Sequence, residues 1–318
     1  MGLFGYIGGM RVLKFLVVLL GVAALGLVGF VQLMPEAATH LALGLERQRS
    51  GLVRKEIGLP DGTHYVYLEG GEGEPLMLLH GFGADKDNFT RIARFLVPHY
   101  RVLIPDHVGF GESSHPPEAD YVAAAQAERL HQLAAALGLT EIHLGGSSMG
   151  GHIAMSYAVA HPNEVKSLWL LDPGGVWSGK PSELVKVVEA GGANPLMARS
   201  EDDYAKVFDF AMSDPPYLPR AMLDVMARER MANFSLEAKI FEQLRGDNIE
   251  ARIKGLQTPT LIVWGREDRA IDVSTAAVIE GLLPRSSVVI MEGIGHLPMI
   301  EAPQRSADDY LRFRATSR

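Results

Sequence analysis

The stretch Ile142-His143-Leu144-Gly145-Gly146-Ser147-Ser148-Met149-Gly150-Gly151 begins apolar, turns through small residues, and continues into a helix-like run from Met149 to His161. Within it Gly146-Ser147-Ser148-Met149-Gly150 fits the pattern Gly-x-Ser-x-Gly centred on Ser148, with a strand entering and a helix leaving, the setting this pattern requires. A strained turn there lifts a hydroxyl above a sheet edge, and small residues at 146 and 150 let the backbone cross itself. Ser147 cannot be the centre, because Met149 stands two places after it.

Outward from this turn, short apolar runs alternate with longer amphipathic ones. The expected strands are His64 to Glu69, Pro75 to His80, Arg101 to Pro105, Ile142 to Gly145, Val165 to Leu171, Thr260 to Trp264 and Ser287 to Met291. Between them Asn88 to Val97, Tyr121 to Leu137, Met149 to His161, Val273 to Leu283 and Pro303 to Phe313 read as helices. Such alternation predicts an α/β fold, a mostly parallel sheet with helices on both faces. Residues 174–256 break it, with helical stretches and no convincing strand. A helical cap over 176–256 is expected, inserted into a catalytic core of 56–175 and 257–318, at the carboxyl edge of the strands where ligands bind.

The first 35 residues differ from the rest. Phe15 to Met34 carries no charge over twenty residues, and at about 1.5 Å per residue this covers the roughly 30 Å hydrocarbon core of a bilayer. A cleaved signal peptide would have an apolar region of about 7 to 15 residues and small residues at the cut. Here Pro35-Glu36-Ala37-Ala38 lacks a small residue two places before either alanine. Residues 1–35 therefore read as a retained anchor and 36–55 as a juxtamembrane connector helix. Arg11, Lys14 and the amino terminus precede the span, favouring an N-terminus inside, although Arg47, Arg49 and Arg54 nearly balance them. The expected placement is the inner membrane with the catalytic domain facing the periplasm. The span lacks a small-xxx-small pair at its centre that would argue for helix pairing, and a homodimer stays open.

Composition removes several classes of function. With no cysteine among 318 residues, thiol nucleophiles, disulfides and thiolate metal sites are excluded. Thirty Lys plus Arg against 38 Asp plus Glu leave a formal charge of −8, and without a basic stripe nucleic acid is not an expected partner.

A serine hydroxyl needs a neighbouring base near neutral pKa. Of eleven histidines, His296 follows the last expected strand in Gly293-Ile294-Gly295-His296-Leu297-Pro298 and reaches the sheet edge that carries Ser148. His80, His107, His143, His152 and His161 read as core or surface histidines. The base needs a carboxylate to hold its tautomer. Asp268, after the strand Thr260 to Trp264, gives the order Ser, Asp, His along the chain; Asp172, after the strand Val165 to Leu171, is the rival, and Glu267 a third candidate. Backbone N–H groups must meet the charge that develops on a carbonyl oxygen. Met149, at the start of a helix, supplies one, and Phe82 in His80-Gly81-Phe82-Gly83 is expected to supply the other.

With these residues in view, the chain from Ile57 onward resembles the α/β-hydrolase superfamily. Leu79-His80-Gly81-Phe82-Gly83-Ala84-Asp85-Lys86-Asp87-Asn88-Phe89 and Gly146-Ser147-Ser148-Met149-Gly150-Gly151 are similar to bacterial membrane-anchored lipases and phospholipases A and to mammalian membrane-bound monoacylglycerol lipases. The resemblance implies hydrolysis of acylglycerols, phospholipids or lysophospholipids through an acyl-enzyme, a lipid or ester substrate as partner, and no metal or organic cofactor. His107 departs from the apolar residue that relatives often carry there, which bears on substrate preference. Methionines 197, 212, 222, 226 and 231 suit either an acyl groove or the packing of the cap's own helices. Two other functions fit the same framework: a carbon-carbon bond hydrolase of dienol ketone acids, and a receptor that keeps the fold without turnover. Haloalkane dehalogenases and epoxide hydrolases are disfavoured, because they need aspartate at the position of Ser148.

Overall fold

The computed structural model describes residues 3–317. Helix α1 (Leu3–Leu33) includes Leu13–Leu33, a stretch long and apolar enough to cross a membrane that is not buried against the rest of the protein. Leu20 and Leu25 are 69% and 74% exposed; an apolar surface of this extent calls for lipid or another protein to cover it. Pro35, which cannot donate a backbone hydrogen bond, opens α2 (Pro35–Arg49).

The connector helix expected over 36–55 is shorter than its sequence suggested. Gly51 adopts φ +69°, and Leu52 N–H donates to Arg47 O at 2.9 Å, a left-handed cap that ends α2 at Arg49. Residues 53–58 then form a strand, β1 (Val53–Gly58), antiparallel to β2 (His64–Gly70). With Arg54, Lys55 and Glu56 on an exposed sheet edge it carries no alternating apolar signal, and the same charges discourage edge-to-edge pairing.

Strand β3 (Pro75–Leu79), a 3-10 turn over Lys86–Phe89, α3 (Thr90–Leu96), β4 (Arg101–Pro105), α4 (Ala123–Ala136), β5 (Ile142–Ser147), α5 (Met149–Ala160) and β6 (Val165–Leu171) follow. Helices α6 (Glu183–Glu189), α7 (Glu201–Ala211), α8 (Arg220–Ala232), α9 (Phe234–Gly246) and α10 (Glu250–Ile253) separate β6 from β7 (Thr260–Gly265). The chain ends with α11 (Thr275–Leu282), β8 (Ser286–Met291), α12 (Pro298–Glu301) and α13 (Pro303–Thr316).

All eight strands form one sheet in the order β1-β2-β4-β3-β5-β6-β7-β8, parallel from β4 to β8. From β3 the chain crosses to β4 on one side, and from β4 to β5 on the other. The carboxyl ends of β3 and β5 therefore border a crevice at the switch point, where open α/β sheets bind ligands. One face of the sheet is covered by α4, α5 and α11, the other by α3 and α13, where Tyr310 stacks on Trp169 at 4.5 Å. Helix α5 is buried from Met149 to Ala158, which explains a run too apolar for an amphipathic surface helix.

The inserted helices pack onto the loops at the carboxyl edge of the sheet. His296 N–H donates to Ala211 O at 2.7 Å, and Ser213 and Asp214 donate to the Glu301 carboxylate at 2.8 and 3.1 Å. Of their methionines, Met226 and Met231 join a small core with Ala198, Tyr204 and Ala227, so these two serve packing within the insertion. Helix α8 also lies against α2, with Arg228 Nη2 3.9 Å from Glu36.

Candidate active site

Strand β5 delivers Ser148 to the carboxyl edge with φ 52° and ψ −117°. Only one other non-glycine among the described residues, Asp172, has a positive φ, and strain of about 1–3 kcal/mol at such a position persists where surrounding structure enforces it. The surroundings are tight. A Cβ at Gly146 would lie 2.3 Å from Gly150 O, and one at Gly150 would lie 2.1 Å from Leu79 O, so both positions require glycine for α5 to rise beside β3.

Next to this turn runs the loop after β3. A Cβ at Gly81 would stand 3.3 Å from the Ser148 Cβ. His80 is fully buried, its Nδ1–H donating to Gly81 O at 2.8 Å while Nε2 accepts from His107 N–H at 3.0 Å. Holding the Gly81 carbonyl this way turns the Gly81–Phe82 peptide so that the Phe82 N–H faces opposite. Among the described residues neither the Phe82 nor the Met149 amide donates to a backbone carbonyl, which leaves both free for an oxyanion. From the insertion, the Arg230 guanidinium packs on this loop, 5.8 Å from the Phe82 ring and close enough to Gly83 that a Cβ there would lie 2.0 Å away. Arg230 is itself held by Glu237 at 2.7 Å.

His80 has a role that its sequence context concealed. Burial pushes its pKa down from 6.5 to about 4, so the imidazole stays neutral and able to accept from His107. The unfolded chain binds this proton at higher pH than the folded one. Stability is therefore complete above about pH 6.5 and is lost as pH falls toward 4, by about 3 kcal/mol for this group. Thermal unfolding followed from pH 7 to 4 should show a smaller loss in His80→Gln than in wild type; an equal loss would remove the assignment. His107 lies 4.5 Å from His80, buried beneath the loop, so this departure acts through the loop's support.

His296 follows β8, and its Nδ1–H donates to Asp268 Oδ2 at 2.8 Å, leaving Nε2 as the basic atom. Asp268 also accepts from Trp264 Nε1 at 3.2 Å and from the N–H groups of Ala270 and Ile271 at 2.8 and 3.0 Å. Both residues are buried. A Cβ at Gly265 would strike Gly295 O at 1.8 Å, so glycine at the end of β7 lets the two loops cross.

Asp172 is much closer to this pair than its turn-like Pro173-Gly174-Gly175 context suggested. It accepts from Gly265 N–H at 2.9 Å, and one side-chain N or O atom on each of Asp172, Asp268 and His296 lies within 4.8 Å of the other two. Burial, then the charge of Asp268, pushes its carboxyl well above the usual range. Asp172 is thus the acid whose burial opposes ionisation, while Asp268 meets four donors. Glu267 points into solvent, while its N–H donates to Ile294 O at 3.0 Å.

Ser148 joins the group through the backbone: its N–H donates to Leu171 O, immediately before Asp172, at 3.0 Å. Among the described residues the His296 ring makes one hydrogen bond, to Asp268, and none to Ser148. Catalytic hydrogen bonds often tighten only when substrate is bound. A hydroxyl on a strained turn, a histidine with a free Nε2 and two unpaired amides at one sheet edge are together suited to acyl transfer.

Comparison with known proteins points to the same fold. A family model described as the alpha/beta hydrolase fold matches residues 74–303. The chain is 47% identical to Lipase 1 of Psychrobacter immobilis over 284 residues, covering 87% of this chain and 89% of that protein. It is 30% identical to monoacylglycerol lipase abhd6-B of Xenopus laevis, over 77% of each chain. The crystal structure of a membrane phospholipase A described as a bacterial virulence factor superposes with a TM-score of 0.86 at 42% identity, covering 97% of this chain and 99% of that one. By the family-model match over residues 74–303 and by similarity of sequence and structure over most of its length, the chain belongs to the α/β-hydrolase family.

Proposed function

We propose that the protein is a membrane-anchored lipase or phospholipase that cleaves carboxylic esters through Ser148, His296 and Asp268. Ser148 Oγ attacks the ester carbonyl as His296 Nε2 takes its proton, and Asp268 holds the imidazole and stabilises its cation. The Phe82 and Met149 N–H groups hold the oxyanion. Collapse breaks the carbon–oxygen bond to the alcohol, which takes the proton from His296, and water repeats the sequence to release the fatty acid. The observation that carries this reading is the buried His296–Asp268 hydrogen bond at the sheet edge that carries the strained Ser148 turn.

Acylglycerols, phospholipids and lysophospholipids are the substrate class, in line with the relatives' names. Residues 176–256 act as a cap over the site, and α1 anchors the chain in the inner membrane with the catalytic domain on the periplasmic side. Because α8 of the insertion rests on α2 next to the anchor, the anchor holds the cap against the bilayer and substrate enters from lipid. The full chain and a form starting at Glu36 should be compared on soluble short-chain esters and on monoacylglycerol or phospholipid in vesicles. Soluble esters should be hydrolysed equally, with the truncated form about ten-fold or more slower on vesicles, where anchoring raises local concentration. Equal rates on vesicles would sink the anchoring part, and no turnover of any ester by the full chain would sink the whole.

A further inference from the structure

At the end of α5 remote from Ser148, four side chains converge that the ester chemistry does not use. Glu128 and His131 stand three residues apart on α4, and His161 and Glu164 three residues apart on the connection from α5 to β6. The two imidazoles stack with centroids 3.9 Å apart and planes 9° apart. Both rings are aligned in one direction. The Nδ1 atoms of His131 and His161 lie 3.0 and 3.8 Å from the two oxygens of Glu164, and His161 Nε2 lies 3.3 Å from Glu128 Oε2. Tyr157 O–H donates to Glu164 Oε2 at 2.8 Å and fixes that carboxylate.

We propose that Glu128, His131 and His161 form a binding site for one divalent transition-metal ion of the zinc type, with Glu164 as the outer carboxylate that orients the His131 imidazole. One candidate ligand atom on each of the three residues lies within 4.8 Å of the others. In a tetrahedral site with bonds of about 2.1 Å, ligand atoms stand roughly 3.4 Å apart, so closure needs about 1 Å of side-chain movement and a turn of one imidazole out of the stack, because each ring binds a metal in its own plane. Glu128 is on the surface and its side chain is free to supply much of it. Two imidazoles and one carboxylate select zinc over magnesium or calcium, which prefer oxygen ligands throughout, and water takes the fourth position. A histidine that presents Nε2 to a metal usually donates its Nδ1–H to a carboxylate, the relation His131 has to Glu164 at 3.0 Å.

The ion would brace α4 against the turn that leads from α5 into β6. Helix α5 has 12 residues, which at about 1.5 Å each put the site roughly 18 Å from Ser148. The proposal concerns stability and is independent of the esterase reading.

The test uses the detergent-solubilised full chain without a polyhistidine tag, stripped of metal and titrated calorimetrically with zinc and with magnesium at pH 7.5. Wild type should bind one equivalent of zinc saturably, ignore magnesium, and gain roughly 5 °C in melting temperature at saturation. His131→Ala and His161→Ala should each abolish both effects. Glu164→Gln should keep the stoichiometry and weaken affinity about 10–100-fold. His99→Ala, at an exposed histidine elsewhere, should bind as wild type does. Unchanged melting temperature in metal-free buffer would show that each variant folds. Absence of saturable zinc binding in wild type, or binding equally tight in the two histidine variants, overturns the proposal.

Discussion

Ser148→Gly is expected to lower turnover of every ester by about 10⁴-fold or more while making the folded protein more stable by about 1 kcal/mol. Both effects arise at one atom pair. Removing Cβ and Oγ takes away the nucleophile, and only the oxyanion amides and substrate binding remain, which by themselves give modest rates. The same change relieves a backbone at φ 52° and ψ −117°, a region strained for residues with a Cβ and open to glycine. Part of that relief is offset, because glycine gains freedom in the unfolded chain. Turnover measured with a soluble ester, beside thermal unfolding of the same preparations, checks the pair. Retained turnover would remove Ser148 as nucleophile, and a lower melting temperature would show that the turn is unstrained.

Asp268→Asn should reduce turnover by about 10⁴-fold with little change in KM, the effect of a histidine held in the wrong tautomer. An asparagine amide at this place would offer a donor to His296 Nδ1, pushing the ring proton to Nε2 and blocking proton transfer from Ser148. The companion experiment is Asp172→Asn. The Asp172 carboxyl is raised well above its ordinary range by burial and by the charge of Asp268, which favours its protonated form. Asparagine has nearly its shape, and its side-chain oxygen still accepts from Gly265 N–H, which Asp172 now meets at 2.9 Å. Turnover in Asp172→Asn should stay within about ten-fold of wild type, the change expected of a near-isosteric swap that keeps this hydrogen bond. Equal losses in the two variants would mean that the acids act as a unit, and a loss confined to Asp172→Asn would reverse their roles.

The carboxylates show where residue patterns stop being informative. Both follow a central strand and both end at the same edge, so pattern alone leaves them as rivals. What separates them is how many N–H groups each meets. Ala270, Ile271, Trp264 and His296 converge on Asp268, whereas the second Asp172 oxygen is buried without a partner. Those donors come from β7, the loop after it and the loop after β8, which are neighbours only once the strands pair. His80 was hidden for the same reason: an apolar run ending in histidine reads as a core strand, and its hydrogen bond to His107 exists because β3 and β4 lie side by side.

Elements with a strong local signal were legible along the chain. The runs Arg101 to Pro105 and Val165 to Leu171 are strands with those bounds, because a parallel strand buried on both faces is apolar throughout. The glycines of residues 146–151 likewise announce a crossing that tolerates no Cβ. Strand β1 was not legible, since its charged residues gain their place from pairing with β2. The residue order dictated everything governed by neighbours a few positions away: an apolar span, a strand-turn-helix around a serine, and the alternation that makes an α/β fold. Only the folded sheet decided which acid meets the histidine, which histidine holds the loop after β3 and which helix rests on α2. These are matters of burial and of contact across strands, and neither exists until the chain has closed on itself.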